Sequence, residues 1–187
     1  MGTLSWFERW WLSAWPHRLH IRGFVPKFLD ASPEPFRGEV LEVGAGAGWT
    51  SQQILETYPQ VELTATDLDP RATKSFRPLQ EKYGHRLKVQ EADILELPFD
   101  RASFDVVIAV HVMHHLDDAP GAIQQFLRIL RPGGMIGIAD EEHRHRRRAD
   151  VERALAAEEA DIKVSEGNGH FMVWATKPYP QDATVAS

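Results

Sequence analysis

Between Glu39 and Ala139 the chain alternates strand-like and helix-like stretches, and this alternation limits its fold more than any other feature. Glu39–Val43 reads as a strand, Thr50–Tyr58 as a helix and Val61–Thr66 as a second strand. Ala72–Tyr83 then reads as a helix, Leu87–Glu91 as a strand and Phe104–Val110 as a short apolar strand. Ala119–Leu130 follows as a helix and Met135–Ala139 as a strand. Strands that alternate with helices build βαβ units, hence a mostly parallel sheet with helices on both faces. The run Val106-Val107-Ile108-Ala109-Val110 contains nothing polar, as a central strand buried on both sides requires. The tail departs from this order. Ala149–Ala160 reads as a helix, and Asp161–Glu166 and His170–Thr176 flank Gly167-Asn168-Gly169, a hairpin signal. The expected fold is α/β, with seven strands, parallel except for a C-terminal antiparallel hairpin.

A chain of 187 residues suits one domain, 1–187, with the α/β core over 38–178. Ahead of the core, residues 4–30 read as helical, with Phe7, Trp11 and Trp15 on one ridge and Trp6 and Trp10 on another. Pro16 is expected to break this helix, leaving a second short helix over Leu19–Leu29. Pro33 and Pro35 in the linker Ala31–Phe36 then stop it. A net charge of −6 gives no support to a nucleic-acid partner. No apolar run is long enough to span a membrane, and the N-terminus lacks the pattern of a signal peptide, so the expected location is cytoplasmic. The absence of cysteine excludes disulfides, thiolate metal sites and cysteine nucleophiles.

The first strand runs into Glu42-Val-Gly-Ala-Gly-Ala-Gly-Trp-Thr-Ser51. A glycine turn at this point lets a ligand approach the backbone beyond the carboxyl ends of the strands. A dinucleotide fingerprint requires a third glycine at position 49, which is Trp49, and a P-loop requires a lysine after Gly48. Neither nucleotide motif is present. The second strand ends in Asp67, and a carboxylate there can accept both hydroxyls of a ribose. Asp69-Pro70 already suits the start of the next helix, which leaves Asp67 for a ligand. Glu91-Ala92-Asp93-Ile94, Leu97-Pro98-Phe99-Asp100 and Ser103-Phe104-Asp105-Val106-Val107 come next, then Leu130-Arg131-Pro132-Gly133-Gly134.

In this order, from Val40 to Ile138, these segments resemble the class I S-adenosylmethionine-dependent methyltransferases, close to the group of ubiquinone/menaquinone-type and phospholipid-type enzymes. The resemblance implies a Rossmann-like, doubly wound fold, S-adenosyl-L-methionine as cofactor and methyl transfer as the activity. It assigns cofactor binding to Glu42, Gly44, Ala45, Gly46, Asp67, Leu68, Asp93, Ile94 and Val110, with Asp93 and Ile94 holding the adenine. Asp105 reads as structural, a cap or bridge at the start of a buried strand, and Leu130–Gly134 as a helix stop and tight turn. The competing readings are a nicotinamide-dependent oxidoreductase and a non-catalytic cofactor-binding module.

On the acceptor side, the fourth strand ends in Val110-His111-Val112-Met113-His114-His115. The Asn/Asp-Pro-Pro-aromatic tetrad of enzymes that methylate base amines or glutamine amides is absent, which favours small molecules with hydroxyl, enol, carbon or amine acceptors, and the resemblance implies an amphipathic one, quinone-like or lipid-like. A hydroxyl acceptor benefits from a base near neutral pKa, and His111 and His114 are the candidates, with His115 beside them. The histidine spacing does not suit a metal, so none is expected. Asp140-Glu-Glu-His-Arg-His-Arg-Arg-Arg148 reads as the solvated start of a helix, acids first, with a cationic rim for an anionic substrate or headgroup as the alternative. The Trp-rich N-terminus, residues 1–30, is expected to be a lid or core element, or else a peripheral membrane contact.

Overall fold

A computed structural model describes residues 15–141, 145–167 and 170–180, with side chains for 23–141, 148–166 and 170–180. Trp6, Trp10 and Trp11, and residues 142–144 at the start of the basic run, lie outside the described residues, and the side chains of 145–147 are not described.

The elements are α1 (Trp15–Asp30), β1 (Gly38–Val43), α2 (Trp49–Thr57), β2 (Val61–Asp67), α3 (Pro70–Ser75), α4 (Arg77–Tyr83) and β3 (Leu87–Glu91). Then come β4 (Phe104–Val110), α5 (Ala119–Ile129), β5 (Leu130–Glu141), α6 (His145–Ala157), β6 (Asp161–Gly167) and β7 (His170–Thr176). Seven strands form one sheet in the order β3-β2-β1-β4-β5-β7-β6. β1 to β5 run parallel, and β7 lies antiparallel between β5 and β6. The strand order reverses between β1 and β4, so their carboxyl ends open on the crevice where such sheets bind ligands.

Each face of the sheet carries its own apolar layer. One joins Phe24, Val25, Phe28 and Leu29 of α1 to Ile54 and Leu55 of α2, Phe76, and Val40, Ile108 and Trp174 of the strands. The other joins Ala122, Ile123 and Phe126 of α5 to Val151 and Leu155 of α6 and to Leu41, Val107 and Ile138. Buried apolar side chains of this size each contribute about 1.5–3 kcal/mol relative to exposure, so the two layers carry most of the stability. β3 and β4 are joined by an irregular segment, 92–103, and no helix covers the sheet there.

Asp105, at the second position of β4, ties three strands together. Its Oδ2 accepts the Glu39 N–H at 2.8 Å and lies 2.6 Å from the Arg131 guanidinium. A Cβ on Gly38, at φ 72°, would collide with this carboxylate, which is why β1 begins on glycine. The bridging role expected of Asp105 is therefore what the structure holds.

Two local expectations are corrected. The break expected at Pro16 falls at the edge of the described residues, and α1 covers the second helix expected over Leu19–Leu29. The single helix expected over Ala72–Tyr83 is two, α3 and α4, with the break at Phe76. Pro78 cannot donate to the carbonyl four residues back, and it sits instead in the first turn of α4. Leu130–Gly134 is not a tight turn before the strand but the first part of β5. The Gly133 N–H donates to the Lys177 carbonyl at 3.0 Å and the Lys177 N–H returns to Gly134 at 2.8 Å, so chain beyond β7 supplies the pairing. Gly133 takes φ 77°, and the β4–β5 register shifts between Phe104 and Val106 to accommodate it.

Candidate active site

The glycine turn leaves β1 with all three glycines in the left-handed region, at φ 65°, 53° and 80°. Each is required for a different reason. A side chain on Gly44 would collide with Val112 of the β4 loop, and one on Gly48 would come within 3.0 Å of Phe76 and Leu79. Only Gly46 faces open space. The close approach that a glycine permits is thus made to protein at Gly44 and Gly48, and is left for a ligand at Gly46 alone.

Asp67 ends β2 beside this opening. Its Oδ2 accepts the Gly46 N–H at 2.8 Å and its Oδ1 accepts the Asp69 N–H at 2.9 Å. The carboxylate is therefore not free, as the sequence suggested, but splints the turn. A carboxylate has about four acceptor positions, so two remain for a pair of hydroxyls. Asp69 caps α3 through the Arg71 N–H at 2.9 Å, the role expected of it. Leu68, the next residue, is 47% exposed, an apolar surface beside the carboxylate. Beside it, after β3, Asp93 accepts the Leu95 N–H through Oδ1 at 2.9 Å, while Ile94 and Val110 are buried with only an edge accessible.

Glu42 lies below the turn and is 2% exposed. Ser51 Oγ, from the first turn of α2, donates to its Oε2, and Thr66 Oγ1 donates to its backbone carbonyl at 3.1 Å. Burial pushes its carboxyl up to about 8; the Asp67 charge adds to the rise, and the Ser51 and Thr50 hydroxyls oppose it.

The two histidine candidates lie on opposite faces of the sheet. His111 is the first residue after β4, at φ 54°, with its N–H bonded to the Ala139 carbonyl at 2.8 Å. Its ring meets Phe24 of α1 edge-on at 5.9 Å and His170 of β7 at 4.8 Å, and Phe24 and His170 lie 4.3 Å apart. Phe24 and His170 are each 3% exposed, so α1 closes over this side. His114 turns the other way, in a short 3-10 turn, Met113–His115. Its Nδ1 is 2.7 Å from Asp140 Oδ1, and its backbone N–H donates to Asp140 Oδ2 at 2.9 Å. The exposed His115 ring lies 3.9 Å from the His114 ring.

Sequence reasoning missed Asp140. It is not part of a solvated helix start but the penultimate residue of β5, 0% exposed. Burial pushes its carboxyl up, but the bond to His114, the His114 charge, the Glu141 N–H and the His111 charge outweigh this and hold it below the ordinary carboxylate value. An ionised Asp140 accepts from Nδ1–H of His114, and in the neutral ring this leaves Nε2 as an acceptor. The missed signal was positional. Asp140 follows an apolar strand at its carboxyl end, as Asp67 does. Among the described residues no three His, Asp or Glu side chains are grouped to hold a metal ion.

A family described as a methyltransferase domain matches residues 41–138, more than half of the chain. The chain belongs to this family. As a methyltransferase domain it is similar to a ubiquinone biosynthesis O-methyltransferase of Xanthomonas axonopodis pv. citri, 30% identical over 71% of this chain and 56% of the relative. It is also similar to a probable phthiotriol/phenolphthiotriol dimycocerosates methyltransferase of Mycobacterium ulcerans, 35% identical over 67% of this chain and 47% of the relative. The chain spans about half the length of these curated relatives. A SAM-dependent methyltransferase structure from Aquifex aeolicus superposes with a TM-score of 0.75 at 18% identity, covering 94% of this chain and 100% of that one. The cofactor of this methyltransferase domain is S-adenosyl-L-methionine. The residues fit it: an open glycine at Gly46, free acceptor positions on Asp67 and exposed apolar surface at Leu68.

Proposed function

We propose that this protein transfers a methyl group from S-adenosylmethionine to a hydroxyl of a small, quinone-like or lipid-like acceptor. The His114–Asp140 pair carries the reading. When bound, the cofactor supplies an activated methyl group on a sulfonium sulfur. Gly46 admits it to the turn, Asp67 receives the ribose hydroxyls, and Asp93 with Ile94 and Leu68 takes the adenine. Glu42 and the Gly44-Ala45 backbone support the turn from beneath, and Val110 closes the end of β4 beside it.

Methyl transfer is an in-line displacement, so positioning accounts for much of the acceleration. A hydroxyl acceptor must also lose its proton. His114 is suited to take it, because Asp140 fixes its tautomer and stabilises the imidazolium that forms. His111, closed beneath Phe24 and His170, is assigned to the wall of the site. The O-methyltransferase name of the Xanthomonas relative supports oxygen as the acceptor atom.

The test is a panel of phenols, quinols, lipids and amines incubated with labelled methyl donor. Label is expected in a hydroxyl-bearing acceptor, with His114→Ala and Asp140→Asn both losing most of the rate while still binding S-adenosylhomocysteine. Methylation confined to nitrogen or carbon, or unchanged O-methylation in both variants, would overturn the proposal.

A further inference from the structure

The glycine turn and the histidine loop are in direct contact. Val112, 9% exposed, rests its branched side chain against Gly44 so closely that even a methyl group there would collide with it. On one side of Val112 is His111, whose N–H is held by the Ala139 carbonyl at 2.8 Å. On the other is the single turn that carries His114, closed by the His115 N–H donating to the Val112 carbonyl at 3.0 Å. The turn is anchored a second time where the His114 N–H meets Asp140 Oδ2. Val112 and Met113 are thus the two residues between two anchors on β5, and the Val112 side chain presses on the donor side of the site.

On the far side, Gly44 belongs to a turn whose geometry is set by ligand-facing groups. The Gly46 N–H is bonded to Asp67, and the Ala45 N–H to the Thr66 carbonyl at 2.9 Å. A ligand that draws on Asp67 or fills the space at Gly46 would press on this turn, and close-packed atoms transmit displacements with little slack. We infer that Val112 is a positioning residue that reports occupancy of the cofactor turn to His114, so that the base is aligned with Asp140 when a methyl donor is in place. The inference rests on the reading of Gly44–Gly46 as the cofactor turn and of His114 as the acceptor-side base.

The consequence is a coupling that can be read without any acceptor. In the wild-type protein, S-adenosylhomocysteine binding is expected to move the Val112 methyl signals and the His114 ring signals together in NMR spectra. Val112→Ala removes the contact and is expected to keep binding within threefold (about 0.7 kcal/mol) while losing most of the His114 shift. Val112→Thr keeps the branched shape against Gly44, with a hydroxyl in place of the nearest methyl, and is expected to retain the shift. A wild-type His114 ring that does not respond to bound ligand would overturn the inference, as would an undiminished response in Val112→Ala. Should Val112→Ala not fold, the wild-type measurement still decides. Absence of S-adenosylhomocysteine binding to the wild type is a different result, which would refute the cofactor reading itself.

Discussion

Glu42→Gln is expected to make the cofactor-free protein more stable near neutral pH. The carboxyl is buried beneath the glycine turn and pushed from 4.5 up to about 8. The native state therefore keeps a proton that the unfolded chain releases above 4.5. A group whose native pKa lies above its unfolded value contributes stability that is fully present below the unfolded pKa. That stability is lost as pH rises towards the native value, at about 1.4 kcal/mol per pH unit. From pH 4.5 to 7 the loss is about 3 kcal/mol, a large share of the 5–15 kcal/mol typical of a folded domain. Glutamine matches the protonated acid in size and carries no such loss. Urea unfolding of both proteins at pH 5, 6, 7 and 8, without cofactor, measures the effect as a difference that cancels every other titrating group. The two curves should start close together at pH 5 and separate by about 2–4 kcal/mol at pH 8, with the variant higher. Parallel curves across this range would show that Glu42 is not protonated in the native state, and the buried-acid reasoning would fall.

Asp67→Ala should weaken S-adenosylhomocysteine binding by about 2–3 kcal/mol in calorimetry, through loss of charge-assisted bonds and of the splint on Gly46. Gly46→Ala places a methyl group in the open space, so binding should be lost while the melting temperature changes little beyond the left-handed backbone cost of about 1 kcal/mol. Gly48→Ala should do the reverse and lower thermal stability by more than Gly46→Ala, because its methyl meets Phe76 and Leu79. Asp140 sits below the usual carboxylate value, so its contribution is present above the unfolded pKa and lost as pH falls through the native one. In acid titrations followed by circular dichroism, Asp140→Asn should accordingly flatten the low-pH limb.

The strands were legible because their signals are local. Phe104–Val110 and His170–Thr176 match the expected spans residue for residue, since unbroken or alternating apolar runs depend on nothing distant. The elements that shifted depend on distant partners. Pro132-Gly133-Gly134 looks like a turn until Lys177, far along the chain, supplies its hydrogen bonds. The candidate site shows the same division. Asp67 and the glycines were visible as a motif, but which glycine faces a ligand depends on Val112, Phe76 and Leu79. Asp140 stands among charged residues in the sequence, and its burial comes from β7 pairing along β5 and from the His114 turn on its carboxylate. The separation of His111 from His114 on opposite faces is set by the turn of chain after β4, which no periodicity encodes.

The packing of α1 has a consequence for the order in which the chain acquires its structure. Phe28 stacks on Trp174 at 4.8 Å, and Phe24 lies against His170, so the first described helix finds partners on β7, the last described strand. During synthesis α1 leaves the ribosome long before β7 exists, and until then only α2 and the earlier strands offer it partners. A nascent chain stalled before His170 would hold β1 to β5 with Phe24 and Phe28 lacking their β7 partners, a species suited to chaperone capture. Completion of the hairpin is then the event that seals the sheet, in one step joining the two ends of the described chain.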